Sequence, residues 1–196
     1  MRRRGGDIAL VVLLCLALPG MTRAGDAARP DDSSWLGRIE WKLEYWRHQQ
    51  FVASRNKNTV PLTAFVTDGC SGGMSTAWRK ATVTFPSLAD RHGENPPWEA
   101  CCVAHDRIYH TGGPVDGDAK ASFEARRLAD EELRQCVRKV AMDRQEALAA
   151  EYGLEPDQVR LLYRVLSNIM HRTVRLGGIP CTRLPWRWGF GWPLCE

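Results

Sequence analysis

The stretch Cys101-Cys102-Val103-Ala104-His105-Asp106-Arg107-Ile108-Tyr109 decides how the chain folds. Written on a helix, Cys101, His105 and Tyr109 fall at i, i+4 and i+8 and share one face. Cys102 and Asp106 form a second row beside it. The first row offers a base and a hydroxyl that can order it. The second offers a carboxylate whose neighbouring cysteine can tether another segment. The flanks predict a helix. Asn95-Pro96-Pro97-Trp98-Glu99 reads as a start, with Asn at the cap, Pro in the first turn and an acid soon after. Thr111-Gly112-Gly113-Pro114 reads as a stop. About four turns lie between the two signals.

The N-terminus reads as a targeting segment. Arg2-Arg3-Arg4 is a basic n-region, and residues 8–18 form an apolar run too short to span a bilayer. Thr22-Arg23-Ala24 places small residues where a signal peptidase reads, so cleavage is expected after Ala24. Residues 1–24 are thus the expected signal peptide and residues 25–196 the expected single domain. The leader carries four arginines against one aspartate, so removing it takes the net charge from +4 to about +1. The basic balance sits mostly in the leader and gives no case for nucleic acid. Arg160, Arg164 and Arg172 break the one later helical stretch that would otherwise invite a membrane span.

Seven cysteines become six when Cys15 leaves with the leader: Cys70, Cys101, Cys102, Cys136, Cys181 and Cys195. An even count in an exported chain predicts three disulfides, with fifteen connectivities open from sequence alone. A zinc site built from Cys101, Cys102, Cys136 and His105 is the competing reading. Adjacent cysteines suit one tetrahedral site poorly, and an oxidising compartment favours disulfides. The expected location is therefore secreted or periplasmic.

Elsewhere, residues 35–52 carry an apolar stripe at Trp35, Leu36, Ile39, Leu43 and Trp46, which predicts a helix. Residues 67–75 are Gly-rich and break structure. Residues 82–85 read as a short strand. Residues 119–150 contain neither Gly nor Pro and read as one long helix. A further helix starts at Leu154-Glu155-Pro156 and runs to Leu176. The tail, residues 180–196, holds Trp186, Trp188 and Trp192 between two cysteines. Such a segment either packs on its own domain or lies at a membrane interface, and packing is the expectation.

Cys-Cys-x-x-His-Asp-x-x-Tyr, preceded by the cysteine loop Thr67-Asp68-Gly69-Cys70-Ser71-Gly72-Gly73, resembles the secreted phospholipases A2. The resemblance covers residues 68–136. It implies a mainly α, disulfide-linked domain with two long antiparallel helices carrying the site. It also implies that His105 is the general base for water and that Asp106 binds calcium. Gly69, Ser71 and Gly73 would present carbonyls to the ion, and Asp68 would add its side chain as in some bacterial members. The resemblance implies the pairs Cys70–Cys102 and Cys101–Cys136, which leaves Cys181 with Cys195. It places the partner of His105 six residues before Cys136, at Asp130. Tyr109 would then hydrogen-bond that aspartate. Two features depart from the animal pattern: the loop is shorter, and Ile108 stands where many animal members have a cysteine. The stretch Val174-Arg175-Leu176-Gly177-Gly178-Ile179-Pro180 resembles tails of uncharacterised bacterial relatives and brings no known chemistry with it.

Each of these residues also has a plain reading. A histidine on an apolar face is often a packed core residue, and Asp106 and the cysteines shift the balance toward a base, whose pKa suits the task. An Asp after a His is often only solvated, whereas calcium needs several hard oxygen ligands. The loop's Asp-Gly and Gly-Gly also favour an ordinary turn. Phe123, Asp130 and Val137 share a heptad row, so Asp130 can face inward, yet a helix wheel drawn from Cys136 favours Glu132. Glu131 groups with Arg127, Arg134 and Arg138 as a solvated face. Tyr109 can equally be a packed tyrosine.

The expected function is calcium-dependent hydrolysis of the second-position ester of glycerophospholipids at a membrane or micelle surface. Two rivals remain: a phospholipase-like module that binds lipid or a partner without turnover, and a structural exported protein in which only the cysteines matter.

Overall fold

The structure, a computed structural model, describes residues 35–57, 59–67, 69–70, 78–80, 82–83, 90, 93 and 95–195, with side chains from residue 39 onward. The expected signal peptide lies outside the described residues. Five helices follow in order among the described residues: α1 (Trp35–Lys57), α2 (Glu99–Thr111), α3 (Ala119–Asp143), α4 (Gln145–Tyr152) and α5 (Pro156–Gly177). No strand occurs among these residues, and residues 82–83, expected in a strand, are helical. The domain is mainly helical and linked by three disulfides.

Helix α3 is the hub, packing against α1, α2 and α5, while α4 packs on α5. It starts where the Asp118 carboxylate accepts the Ala121 N–H at 2.8 Å. Its buried row runs Phe123, Arg126, Asp130, Leu133 and Val137, the spacing of one helix face. Helix α2 lies antiparallel to it. Cys101 is bonded to Cys136, His105 meets Asp130, and Tyr109 meets Arg126, so rising numbers on one helix face falling numbers on the other.

Two boundaries and one buried face differ from expectation. Helix α2 begins at Glu99, not at an Asn95 cap: the carbonyls of Pro96 and Trp98 accept the Glu99 and Cys101 N–H groups at 2.9 Å each, so a backbone turn opens the helix. Residues 119–150 form two helices rather than one. Arg144, at φ −120° and ψ 21°, redirects the chain and lets α4 bury Leu148, Ala149 and Tyr152. The face of α1 is also inverted. Ile39, Leu43 and Trp46 from the apolar stripe are 45, 60 and 48% exposed. The buried face instead carries His48, Phe51, Val52 and Arg55, with Glu44 nearly covered. A stripe counted by hydrophobicity misses this face because three of its five residues are ionisable.

The tail packs on its own domain. Trp188 is fully buried and donates its indole N–H to Ser122 Oγ at 2.9 Å. A helix leaves its last four carbonyls without intrahelical donors. In α2 the Ile108 carbonyl is met by Gly112 N–H, that of Tyr109 by Gly189 N–H and that of His110 by Gly191 N–H. The Thr111 carbonyl accepts the Trp192 indole N–H. The tail is therefore the C-terminal cap of the motif helix. Gly189 sits at φ 70°, where a Cβ would lie 2.2 Å from the Phe51 ring, so no side chain fits there. The Cys181–Cys195 bond closes this cap across a sequence separation of 14. Replacing both cysteines with serine is expected to lower stability by ~3 kcal/mol, the chain-entropy value for a loop of this size. Urea unfolding measures it, and an unchanged midpoint would show that the tail's hydrogen bonds hold it alone.

Candidate active site

His105 is buried midway along α2 and points at α3. Its Nε2 lies 2.9 Å from Asp130 Oδ1, and the same oxygen accepts the Tyr109 hydroxyl at 2.6 Å. Asp130 is fully buried. Because Asp130 is ionised and accepts only, Nε2 carries the proton of the neutral ring and Nδ1 is left as its acceptor. Asp106 Oδ1 stands 3.8 Å from Nδ1, too far for a hydrogen bond. Glu132, the alternate partner, is exposed on another face of α3. Glu131 pairs with Arg134 and Gln135. Arg127 and Arg138, grouped with Glu131 from sequence, bond elsewhere: Arg127 to Glu124, Arg138 to Ser167 and Asn168 on α5.

The loop before the motif approaches Asp106 through the Cys70–Cys102 bond. The Thr67 hydroxyl accepts the Gly69 N–H at 3.1 Å and donates to Asp106 Oδ2 at 2.8 Å. Gly69 has φ 84°, and a Cβ there would lie 2.5 Å from Glu99 Oε1. Asp68, Ser71 and Gly73, the other expected calcium ligands, lie outside the described residues. Among the described residues no group of three or more His, Cys, Asp or Glu side chains is placed to hold a metal ion. The oxygens that meet there among the described residues are the Asp106 carboxylate and the Thr67 hydroxyl. That set fits a hard cation in kind.

A cavity of about 40 Å³ opens beside the histidine, lined by His105, Asp106, Tyr109, Thr173, Val174, Gly178 and Trp186. It has room for water next to the ring. The wall comes from α5 and the tail, which no signal near His105 in the sequence marks. Gly178 allows it: a Cβ there would fall 2.6 Å from the Tyr109 hydroxyl oxygen and 2.5 Å from its ring.

Sequence reasoning also missed a buried charge network behind Asp130. Arg126, with no exposed surface, donates to Glu44, to the Tyr109 hydroxyl at 3.1 Å, and to the carbonyls of Val174 and Arg175 at 2.9 and 2.7 Å. Arg175 donates to Glu44 and, at 3.0 Å, to Asp130 Oδ2. Arg126 carried one legible signal, its place on the Phe123–Asp130–Val137 row. Glu44 and Arg175 carried none, being 82 and 49 residues from Arg126.

These charges set the local protonation. Burial pushes the Asp130 carboxyl up, but the His105 hydrogen bond and the Arg126 and Arg175 guanidiniums outweigh it and hold it at about 2, below the ordinary 3.8. Burial disfavours the His105 imidazolium, yet Asp106 and Asp130 raise its pKa above the usual value. Burial first of all pushes the Tyr109 phenol well up, so it stays a donor. A carboxyl depressed on folding stabilises the fold above its unfolded pKa, and that stabilisation drains away as pH falls through 3.8 toward 2. Wild type is expected to lose on the order of 2 kcal/mol across this window through Asp130. Urea unfolding at pH 5 and pH 2 should show a correspondingly smaller loss in Asp130→Asn. Equal losses would mean that Asp130 is not held ionised.

No protein-family model, no curated protein and no solved structure matches this chain.

Proposed function

We propose that the chain hydrolyses the second-position ester of glycerophospholipids with calcium bound beside Asp106, as its resemblance to secreted phospholipases A2 implies. The observation that carries this reading is the His105–Asp130 pair, buried, bonded by Tyr109, and next to Asp106, which the Thr67 hydroxyl meets beside the Cys70–Cys102 bond. Asp130 fixes the ring so that Nδ1 is the basic nitrogen. His105 Nδ1 accepts a proton from a water in the cavity while the water oxygen attacks the ester carbonyl carbon. As the carbon–oxygen bond to glycerol breaks, the imidazolium returns that proton to the leaving oxygen. The products are a fatty acid and a lysophospholipid. Asp130 stays ionised throughout and stabilises the imidazolium. Asp106, Gly69 and the neighbouring loop residues would hold calcium, which when bound supplies positive charge for the carbonyl oxygen and the phosphate.

A second reading draws on the cavity itself. It is small, about 40 Å³, and Trp186 forms part of its wall. So small a site beside His105 favours the rival reading, a binding module without turnover. Ester release with and without calcium separates the two.

Calcium binding has its own test. A divalent ion held largely by neutral oxygens needs a fixed anion. Calorimetric titration of wild type is expected to show binding, with a rise in melting temperature because the ion favours the folded state. Asp106→Asn should abolish both. If it binds calcium as tightly as wild type, the ion is elsewhere.

A further inference from the structure

We infer that Arg175 is a positioning residue for the reaction: it clamps the free side of Asp130 so that the carboxylate holds His105 in its working tautomer. This rests on the reading of His105 as the base. The two oxygens of Asp130 have separate duties. Oδ1 receives both His105 and Tyr109, at 2.9 and 2.6 Å. Oδ2 receives Arg175 Nη1 at 3.0 Å, while Arg126 Nε stays 4.0 Å away. Arg175 thus holds the second oxygen and, with the two bonds to Oδ1, fixes the carboxylate's rotation about its Cβ–Cγ bond. A planar guanidinium suits this, because its second nitrogen is tied to Glu44 on α1 and the fork cannot swing. Its backbone is held as well, since Arg126 Nη2 bonds the carbonyls of Val174 and Arg175.

Two carboxylates, Glu44 and Asp130, face two guanidiniums, Arg126 and Arg175, so the cluster is balanced with His105 neutral. The last turn of α5 then does two things. Thr173 and Val174 wall the cavity on one side of the ring, and Arg175 sets the ring's partner on the other. Without Arg175, Oδ2 would lose its 3.0 Å donor and the carboxylate would be held from the Oδ1 side alone. His105 would lose the geometry that keeps its proton on Nε2.

The test uses full-length protein with ¹⁵N-labelled histidine and vesicles of phosphatidylcholine and phosphatidylglycerol with calcium. In wild type, a hydrogen-bonded Nε2–H resonance, assigned by its absence in His105→Gln, should report the tautomer. Arg175→Met is expected to lose that resonance and to lower kcat ~10–100-fold with KM within about twofold, the usual cost of removing an orienting partner. Arg175→Lys keeps the charge but not the fork, and should recover part of kcat and of the resonance. Arg175→Met with the resonance intact and wild-type kcat would overturn the proposal. So would an Arg175→Lys protein that folds, shows no resonance and still turns over normally. Should wild type release no fatty acid while Arg175→Met still loses the resonance, the clamp stands and the hydrolase reading falls.

Discussion

His105→Gln is expected to slow ester release ~10²–10⁴-fold, the range for loss of a general base, while the protein stays folded. Glutamine can still donate an N–H toward Asp130 but offers no basic nitrogen at neutral pH. Asp130 also keeps the Tyr109 hydroxyl and Arg175, so its carboxylate is not stranded. Both cysteines at the start of the helix remain bonded. Melting should therefore shift by a few degrees at most, and activity should fall far more than stability. Near-normal turnover in a folded His105→Gln protein would remove His105 from the chemistry.

The largest stability effect is expected at Arg126. Its guanidinium lies wholly inside and serves Glu44, Tyr109 and two backbone carbonyls. Arg126→Met keeps much of the stem's volume but strands a nearly buried carboxylate and two acceptors. Breaking a buried ion pair from one side typically costs ~3–5 kcal/mol, because the partner charge keeps its desolvation penalty. For a domain of this size that corresponds to roughly 6–20 °C in melting temperature. Arg127→Met, one position along, is the control. Arg127 is 41% exposed and pairs with Glu124 at the surface, so its loss should stay within about 1 kcal/mol. Scanning calorimetry of both variants decides it. Equal shifts would mean that the interior network contributes no more than a surface pair.

The contrast between these two arginines shows what the sequence could reveal. Local signals served well where one helix carries the information. The motif row follows from 3.6-residue periodicity and the Gly112 stop from its place past the helix end. The heptad row allows Asp130 to face inward, but a wheel drawn from Cys136 favours Glu132, and the pairing of Asp130 with His105 comes from the resemblance to phospholipases A2. The α1 face was illegible because hydrophobicity marks apolar burial, and that face buries Glu44, His48 and Arg55 against partners on distant segments. Arg55, for example, donates to the carbonyls of Pro114 and Gly117, about 60 residues on. Arg175 reaches the site because α5 packs along α3, and Trp186 because the tail folds back over α2. Nothing near either residue in sequence announces that approach. The Arg144 break had no Gly or Pro to mark it, since it arises from the fit of Leu148 and Tyr152 against α5.

The export reading gains support from the three disulfides, which fit a secreted or periplasmic protein. Among the described residues no helix is long and apolar enough to cross a membrane. On the outer face of α1, Trp41 stacks on Tyr45 and meets Phe123 edge-on, and the Arg47 guanidinium lies over the Trp46 ring.

The most direct measurement is product analysis on phosphatidylcholine and phosphatidylglycerol vesicles whose two acyl chains differ, with wild type and His105→Gln, in calcium and then in excess chelator. Wild type in calcium should release the second-position fatty acid and leave the matching lysophospholipid. Chelator should stop it, and His105→Gln should release almost none. No release by folded, calcium-loaded wild type, or equal release by His105→Gln, would contradict the account.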